Sequence, residues 1–229
     1  MDYLFREFEA AHQELEEVMD AELPRSLRLF NIRFRLALDI TIGFEGKVSL
    51  TKTKVVRETY SLISKLMETW NAYEALSQYA SEIGTYVTPG KVKSRIYSQN
   101  LLGKAGSLEI LQNSLNWLGQ EHRRNSQFRK DFQKYINRVI EAPSIKHQLT
   151  KDAKNVNNFL QSGKSISGIE VLSLIYAERN LYYHSGEAAK MGMSYSNRKK
   201  LVEEYRRVLI AHTLRLATHM IKGQISDNE

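Results

Sequence analysis

Ser167-Gly-Ile-Glu-Val-Leu-Ser-Leu-Ile-Tyr-Ala-Glu-Arg-Asn-Leu-Tyr-Tyr-His184, followed by Ser185 and Gly186, reads as a helix with both ends written in. Ser167 with Glu170 three residues later is a capping box, which supplies partners for the first orphan amides. Gly186, just past the last periodic residue, provides a left-handed cap at the other end. Between them Ile169, Leu172, Ile175, Tyr176 and Tyr183 form an apolar stripe of the kind that packs in a bundle. The C-terminal turn carries Arg179-Asn180-Leu181-Tyr182-Tyr183-His184: an arginine, a polar residue directly after it, and a histidine five positions on.

That pattern resembles the signature of the HEPN superfamily, the helical "higher eukaryotes and prokaryotes nucleotide-binding" domains. Their mark is an arginine, four to six residues and a histidine near the end of a bundle helix, often with Asn after the Arg. Here Arg179 and His184 take the family's functional positions and Asn180 the polar one. The explicit match covers about twenty residues. The implied fold is an all-α, HEPN-like helical bundle with long antiparallel helices. The implied activity is a metal-independent endoribonuclease of the sort found in toxin–antitoxin and phage-defence systems, leaving a 2′,3′-cyclic phosphate. The resemblance also implies a homodimer in which two motifs face a shared cleft, and an antitoxin or other protein partner. Some family toxins carry a tyrosine two residues after the histidine, where a nucleotidyltransferase antitoxin acts. This chain has Gly186 there, so that regulation is not implied. Many HEPN domains are non-catalytic, and the alternative is an adaptor that binds RNA, a nucleotide or a protein. A self-associating scaffold is the third reading.

The residue types suit the chemistry. Cutting RNA without a metal requires that the 2′-hydroxyl lose a proton, that charge on the phosphate be stabilised, and that the leaving 5′-oxygen gain a proton. Arginine stays charged and its planar fork holds two phosphate oxygens; histidine exchanges protons near neutral pH. His184 lies in the last turn, where the helix dipole favours imidazolium and hence a general-acid or phosphate-binding role. Asn180 and His184 are i and i+4 and share a face. Arg179 and His184, at about 100° per residue, point roughly 140° apart on an ideal helix. One helix therefore does not close a compact site, and either Arg179 reaches round, the last turn deviates, or a second copy completes it.

Composition sets the wider frame. The 229 residues, 42% hydrophobic and 26% charged, are enough for one large soluble domain. There is no cysteine, hence neither a disulfide framework nor a thiolate metal site, which fits a cytoplasmic location. The start Met-Asp-Tyr-Leu-Phe-Arg-Glu is not a signal peptide, and no apolar run approaches the ~20 residues of a membrane span. The net charge of +7 is uneven: residues 1–22 hold eight acidic side chains against Arg6, leaving +14 on the remainder, with 32 basic and 18 acidic residues. Such a body suits a polyanionic partner such as RNA, although a basic surface also serves solubility.

In chain order, residues 2–20 predict an acidic amphipathic helix whose charged face either lies in solvent or covers a basic surface. Residues 25–44 are ambiguous. Apolar residues alternate from Ile32 to Phe44 as in a strand, yet Arg28, Asn31, Arg35 and Asp39 form a helical polar stripe, and Pro24 favours a helix start. The helix is preferred, because only the short Lys47–Leu50 piece offers a strand partner. Helices are then expected over 51–83, 106–119, 124–141, 145–160 and 197–222, with a Gly/Pro-punctuated basic loop over 84–95. The helix over 124–141 has the densest basic face, and Arg123, Arg124, Lys130 and Lys134 are the candidate RNA-binding residues. The whole reads as one domain over 1–229, in which 1–45 can be an N-terminal extension on a bundle core of 46–229.

Other motifs carry less. Gly163-Lys164-Ser165 matches the end of a phosphate-binding loop, but Asn158 stands where that loop needs glycine, and no strand precedes it. His212 and His219, seven apart, lack a carboxylate–histidine ligand pattern and read as bundle or interface histidines. His12, His122 and His147 are isolated. No metal or cofactor is expected.

Overall fold

The computed structural model describes residues 1–19, 22–45, 52–84, 87–88, 91–142, 145–184 and 192–228, with only the backbone of 183 and 184. Those residues form nine α-helices: α1 (Asp2–Val18), α2 (Arg25–Asp39), α3 (Lys54–Glu82), α4 (Gln99–Lys104), α5 (Ser107–Arg124), α6 (Ser126–Glu141), α7 (His147–Ser162), α8 (Glu170–His184) and α9 (Tyr195–Asn228). No strand occurs among them; one isolated antiparallel bridge joins Val87 to Tyr97. The fold class is all-α. No helix among the described residues is long and apolar enough to cross a membrane.

Local chemistry fixes many boundaries. Asn125 alone separates α5 from α6, and its side chain accepts from the Phe128 amide at 2.9 Å. The Ser98 hydroxyl caps α4 by accepting from Leu101 at 3.2 Å. Gly106 precedes α5 and Gly163 ends α7, both in the left-handed conformation that glycine adopts at no steric cost.

Residues 25–39 resolve the ambiguity of 25–44 as a helix. Leu27, Phe30, Phe34 and Ala37 are buried at helical spacing, while Ile32 and Leu36, which a strand would bury with Phe34, stand 66% and 51% exposed. Tertiary burial therefore follows the 3.6-residue period. The Lys47–Leu50 segment lies outside the described residues.

Helices α1, α2, α3 and α9 pack side by side. Phe8, Phe30 and Phe34 from the first two belong to the same apolar cluster as Trp70, Leu111, Phe132, Ile175 and Leu209. Directions follow from the contacts. Ser26 bonds Glu82 while Phe44 meets Tyr60, so α2 runs antiparallel to α3. The two longest helices run parallel, however: Thr59 reaches Tyr195 and Tyr73 stacks near His212. This corrects the expectation of long antiparallel helices for that pair alone, since α9 runs antiparallel to α5, with Ser107 on His212 and Glu121 on Lys200. A short hairpin forces antiparallel neighbours, and α3 and α9 are separated by five helices. The acidic face of α1 is partly used in cis, where Glu7 pairs with Arg215 and Lys222 of α9 at 3.0 Å each and Glu9 with Arg35 at 2.8 Å.

The second group, α5 to α8, packs on α9 with α8 inside. The amphipathic stripe expected of α8 is replaced by burial on every side: all residues from Gly168 to Glu178 are buried, Ser173 and Glu178 included. A helix apolar nearly all round belongs at the centre of a core. Entry to α8 also differs from a capping box. Ser167 Oγ donates to Glu170 Oε2 at 3.1 Å, so the two cap side chains bind each other, and Glu170 also faces Arg95 at 3.6 Å. A tight turn replaces the cap, with the Val171 amide on the Gly168 carbonyl. A Cβ on Gly168 would lie 2.3 Å from the Gln112 amide nitrogen, so only glycine lets α8 meet α5 this closely. The Gly186 cap lies outside the described residues.

Candidate functional site

The motif residues sit at the end of a rigid, buried helix. Arg179 is 22% exposed at its side chain. Its Nη1 donates to Asn180 Oδ1 at 3.2 Å, and its Nη2 lies 3.9 Å from Glu74 Oε1 on α3. Asn180 is buried and orients the guanidinium. The backbone of His184 closes α8; its side chain, like that of Tyr183, lies outside the described residues.

Glu74 was not marked by any sequence pattern, yet it gathers the surroundings of Arg179. It accepts from Trp70 Nε1 at 2.7 Å and pairs with Lys93 Nζ at 2.8 Å. Trp70 in turn stacks on Tyr176 of α8, with centroids 5.1 Å apart. The basic loop of 84–95 thus places Lys93 beside the motif, its carbonyl fixed by the Tyr73 hydroxyl at 3.1 Å. Arg95 of the same loop is instead spent on structure: it forks onto the buried Asp152 at 2.9 and 2.6 Å. Only their tertiary positions separate these two basic residues.

The face of α8 opposite Glu74 holds a buried charge pair, Glu178 with Arg198 of α9, and Arg198 also lies over the Tyr135 ring at 5.1 Å. Next to it Asp131 accepts from the Ser194 amide and hydroxyl at 3.0 and 2.7 Å and from Asn197 at 2.8 Å. Burial pushes the Asp131 carboxyl up, but these bonds and one from Gln127 outweigh it and hold the group below its ordinary range. Both clusters fasten the start of α9 to α6 and α8.

The candidate RNA-binding cations fall into two places. Lys130 and Lys134 are exposed on α6 and line a groove of about 670 Å³ with His122, Arg129, Asn137 and Gln161. Among the described residues no carboxylate lines it. Burial first, then Arg129 and Arg123, push the His122 imidazole down. Arg123 and Arg124 are exposed at the end of α5 but do not line the groove. A Cβ on Gly192 would stand 3.4 Å from the Lys134 Cβ, so Gly192 lies beside this groove.

The other singled-out residues have structural places. Gly163 ends α7, and Lys164 and Ser165 are exposed coil. His212 is buried, bonded through Nδ1 to the Ser107 hydroxyl at 2.6 Å and pushed down to about 3 by burial. His12 contacts Asn31 at 3.2 Å, and His147 opens α7. Among the described residues no three His, Cys, Asp or Glu side chains converge as metal ligands do.

Fold and site together define an all-α protein with a charged motif on a central helix and a separate basic groove. No family model, curated protein or solved structure matches the chain.

Proposed function

We propose that this protein is a metal-independent endoribonuclease of HEPN type, acting in a toxin–antitoxin or phage-defence setting. In the reaction the substrate's 2′-oxygen attacks the adjacent phosphorus and loses its proton. The bond from phosphorus to the 5′-oxygen breaks, and that oxygen takes a proton. The products are a 2′,3′-cyclic phosphate and a 5′-hydroxyl. Arg179 neutralises the phosphate charge that develops, Asn180 fixes the direction of its fork, and His184 supplies the proton to the leaving oxygen. The homodimer brings two motifs to one cleft. The carboxylate-free groove of Lys130 and Lys134, with Arg123 and Arg124 at the end of α5, attracts the RNA backbone.

The observation that supports this reading best is Arg179 itself: partly exposed, at the end of a buried helix, and aimed by the buried Asn180. A free structural arginine needs no such orienting amide. The adaptor reading draws on a different observation, the carboxylate of Glu74 at 3.9 Å, which already offers that arginine an anion.

The test is cleavage of mixed cellular RNA in EDTA by the wild type, Arg179→Ala and His184→Ala, with the ends examined for cyclic phosphate. Cutting that survives chelation and falls at least ~100-fold in both variants supports the enzyme. Cutting retained by both variants removes the proposed site. A folded wild type that binds RNA through the α6 groove without cutting it is the adaptor.

A further inference from the structure

A second cationic concavity lies between α1, α4 and α9. Two adjoining hollows, of about 420 and 150 Å³, share Lys104, His219 and Lys222. On α9 the residues Arg215, His219 and Lys222 fall at i, i+4 and i+7, one face of the helix. Lys104, in the last turn of α4, stands across from them. The single acidic residue on the wall is Glu7, and its carboxylate is shared by Arg215 and Lys222 at 3.0 Å each. Among the described residues no carboxylate pairs with Lys104, and none hydrogen-bonds His219. Three permanent cations thus face one anion, and the two unbalanced groups are neighbours. Neutral donors complete the wall: Asn100 and the hydroxyl of Ser98, while the Ser226 hydroxyl donates to the Lys222 carbonyl at 3.1 Å.

We propose that this concavity is a binding site for a phosphate monoester, with Lys104, His219 and Lys222 as its ligands. A phosphate dianion between Lys104 and His219 would relieve their like-charge proximity and accept from Lys222 and the neutral donors. The larger hollow is of the size small-molecule sites have. In the unliganded protein burial first, then the charge of Lys104, hold the His219 imidazole below its ordinary value. Among the described residues the other charged groups facing it are Lys222 and Arg215 on its own helix and Glu7 on α1. The site is separate from the motif on α8 and does not depend on the ribonuclease reading.

The phosphate can belong to a free mononucleotide or to the 5′ end of an RNA, and the test distinguishes them. The full chain is titrated with pH by NMR of the histidine rings, with the His219 signal assigned by its loss in His219→Gln. Inorganic phosphate, adenosine monophosphate and a 5′-phosphorylated RNA oligonucleotide are added in turn. The expected result is a rise of about half a pKa unit or more for His219 with inorganic phosphate, because an anion favours imidazolium. In Lys104→Gln the free value should itself rise and the phosphate effect should fall by more than half. A larger effect of the nucleotide points to a small-molecule ligand, and a larger effect of the oligonucleotide to an RNA end. The proposal is overturned if none of the three moves His219, or if Lys104→Gln keeps the whole effect. His184→Ala should leave every result unchanged.

Discussion

Replacing Glu178 by glutamine leaves Arg198 charged in a position fully shielded from water. Burial alone lowers the guanidinium's tendency to hold its proton, but the charge and hydrogen bond of Glu178 outweigh it and stabilise the cation. With that charge gone, the Tyr135 ring at 5.1 Å still lies beside the guanidinium, a contact worth about 0.5–2 kcal/mol. Breaking a buried pair by removing one partner costs about 3–5 kcal/mol. Glutamine keeps the shape and one acceptor, so the expected loss is near the lower end, about 3 kcal/mol. For a chain of this size that is a fall in Tm of roughly 6–12 °C. The double variant Glu178→Leu with Arg198→Met removes both charges and fills the space, and should lie within about 1 kcal/mol of the wild type. Urea unfolding at pH 7, read by circular dichroism, measures Glu178→Gln beside the wild type, and the double variant with its singles Glu178→Leu and Arg198→Met completes a double-mutant cycle that extracts the coupling. The reasoning is refuted if Glu178→Gln costs less than about 1 kcal/mol. It is equally refuted if the double variant loses as much as the sum of the two single variants.

Gly168→Ala should cost more than about 2 kcal/mol or prevent folding, since its Cβ would fall 2.3 Å from backbone of α5; unfolding midpoints near the wild-type value would contradict the close approach. His212 makes stability depend on pH with a definite sign. Its folded pKa of about 3 lies below the unfolded value near 6.5, so between these limits the unfolded chain binds the extra proton and stability falls with acid. Over two pH units, from 6.5 to 4.5, the loss comes to about 2.3 kcal/mol. His212→Gln should remove about one proton from that slope, and an unchanged slope would count against a neutral buried histidine.

Much of the fold was legible in the sequence because helices write themselves locally. The periods of 3 and 4 in 54–82 are a property of neighbours in the chain, whereas the expected break between 119 and 124 moved to Asn125, whose side chain caps α6. The motif Arg179-Asn180 was legible for the same reason: it is a short pattern on one helical turn. Residues 25–44 were balanced between two periods, and the burial of Leu27, Phe30, Phe34 and Ala37 with the exposure of Ile32 and Leu36 decided between them. Parallel packing of α3 and α9 was not legible, since no short connection encodes the direction of helices five elements apart. Nor were Glu74 and Lys93 beside Arg179, Arg95 on Asp152, or the charge pair Glu178–Arg198, because each joins residues from elements distant in the chain. The sequence by itself determined that the chain is helical, where its helices run and which turn bears the motif. Only the tertiary structure decided which charges meet, because a side chain's electrostatic partner depends on packing in three dimensions and not on its spacing along a helix.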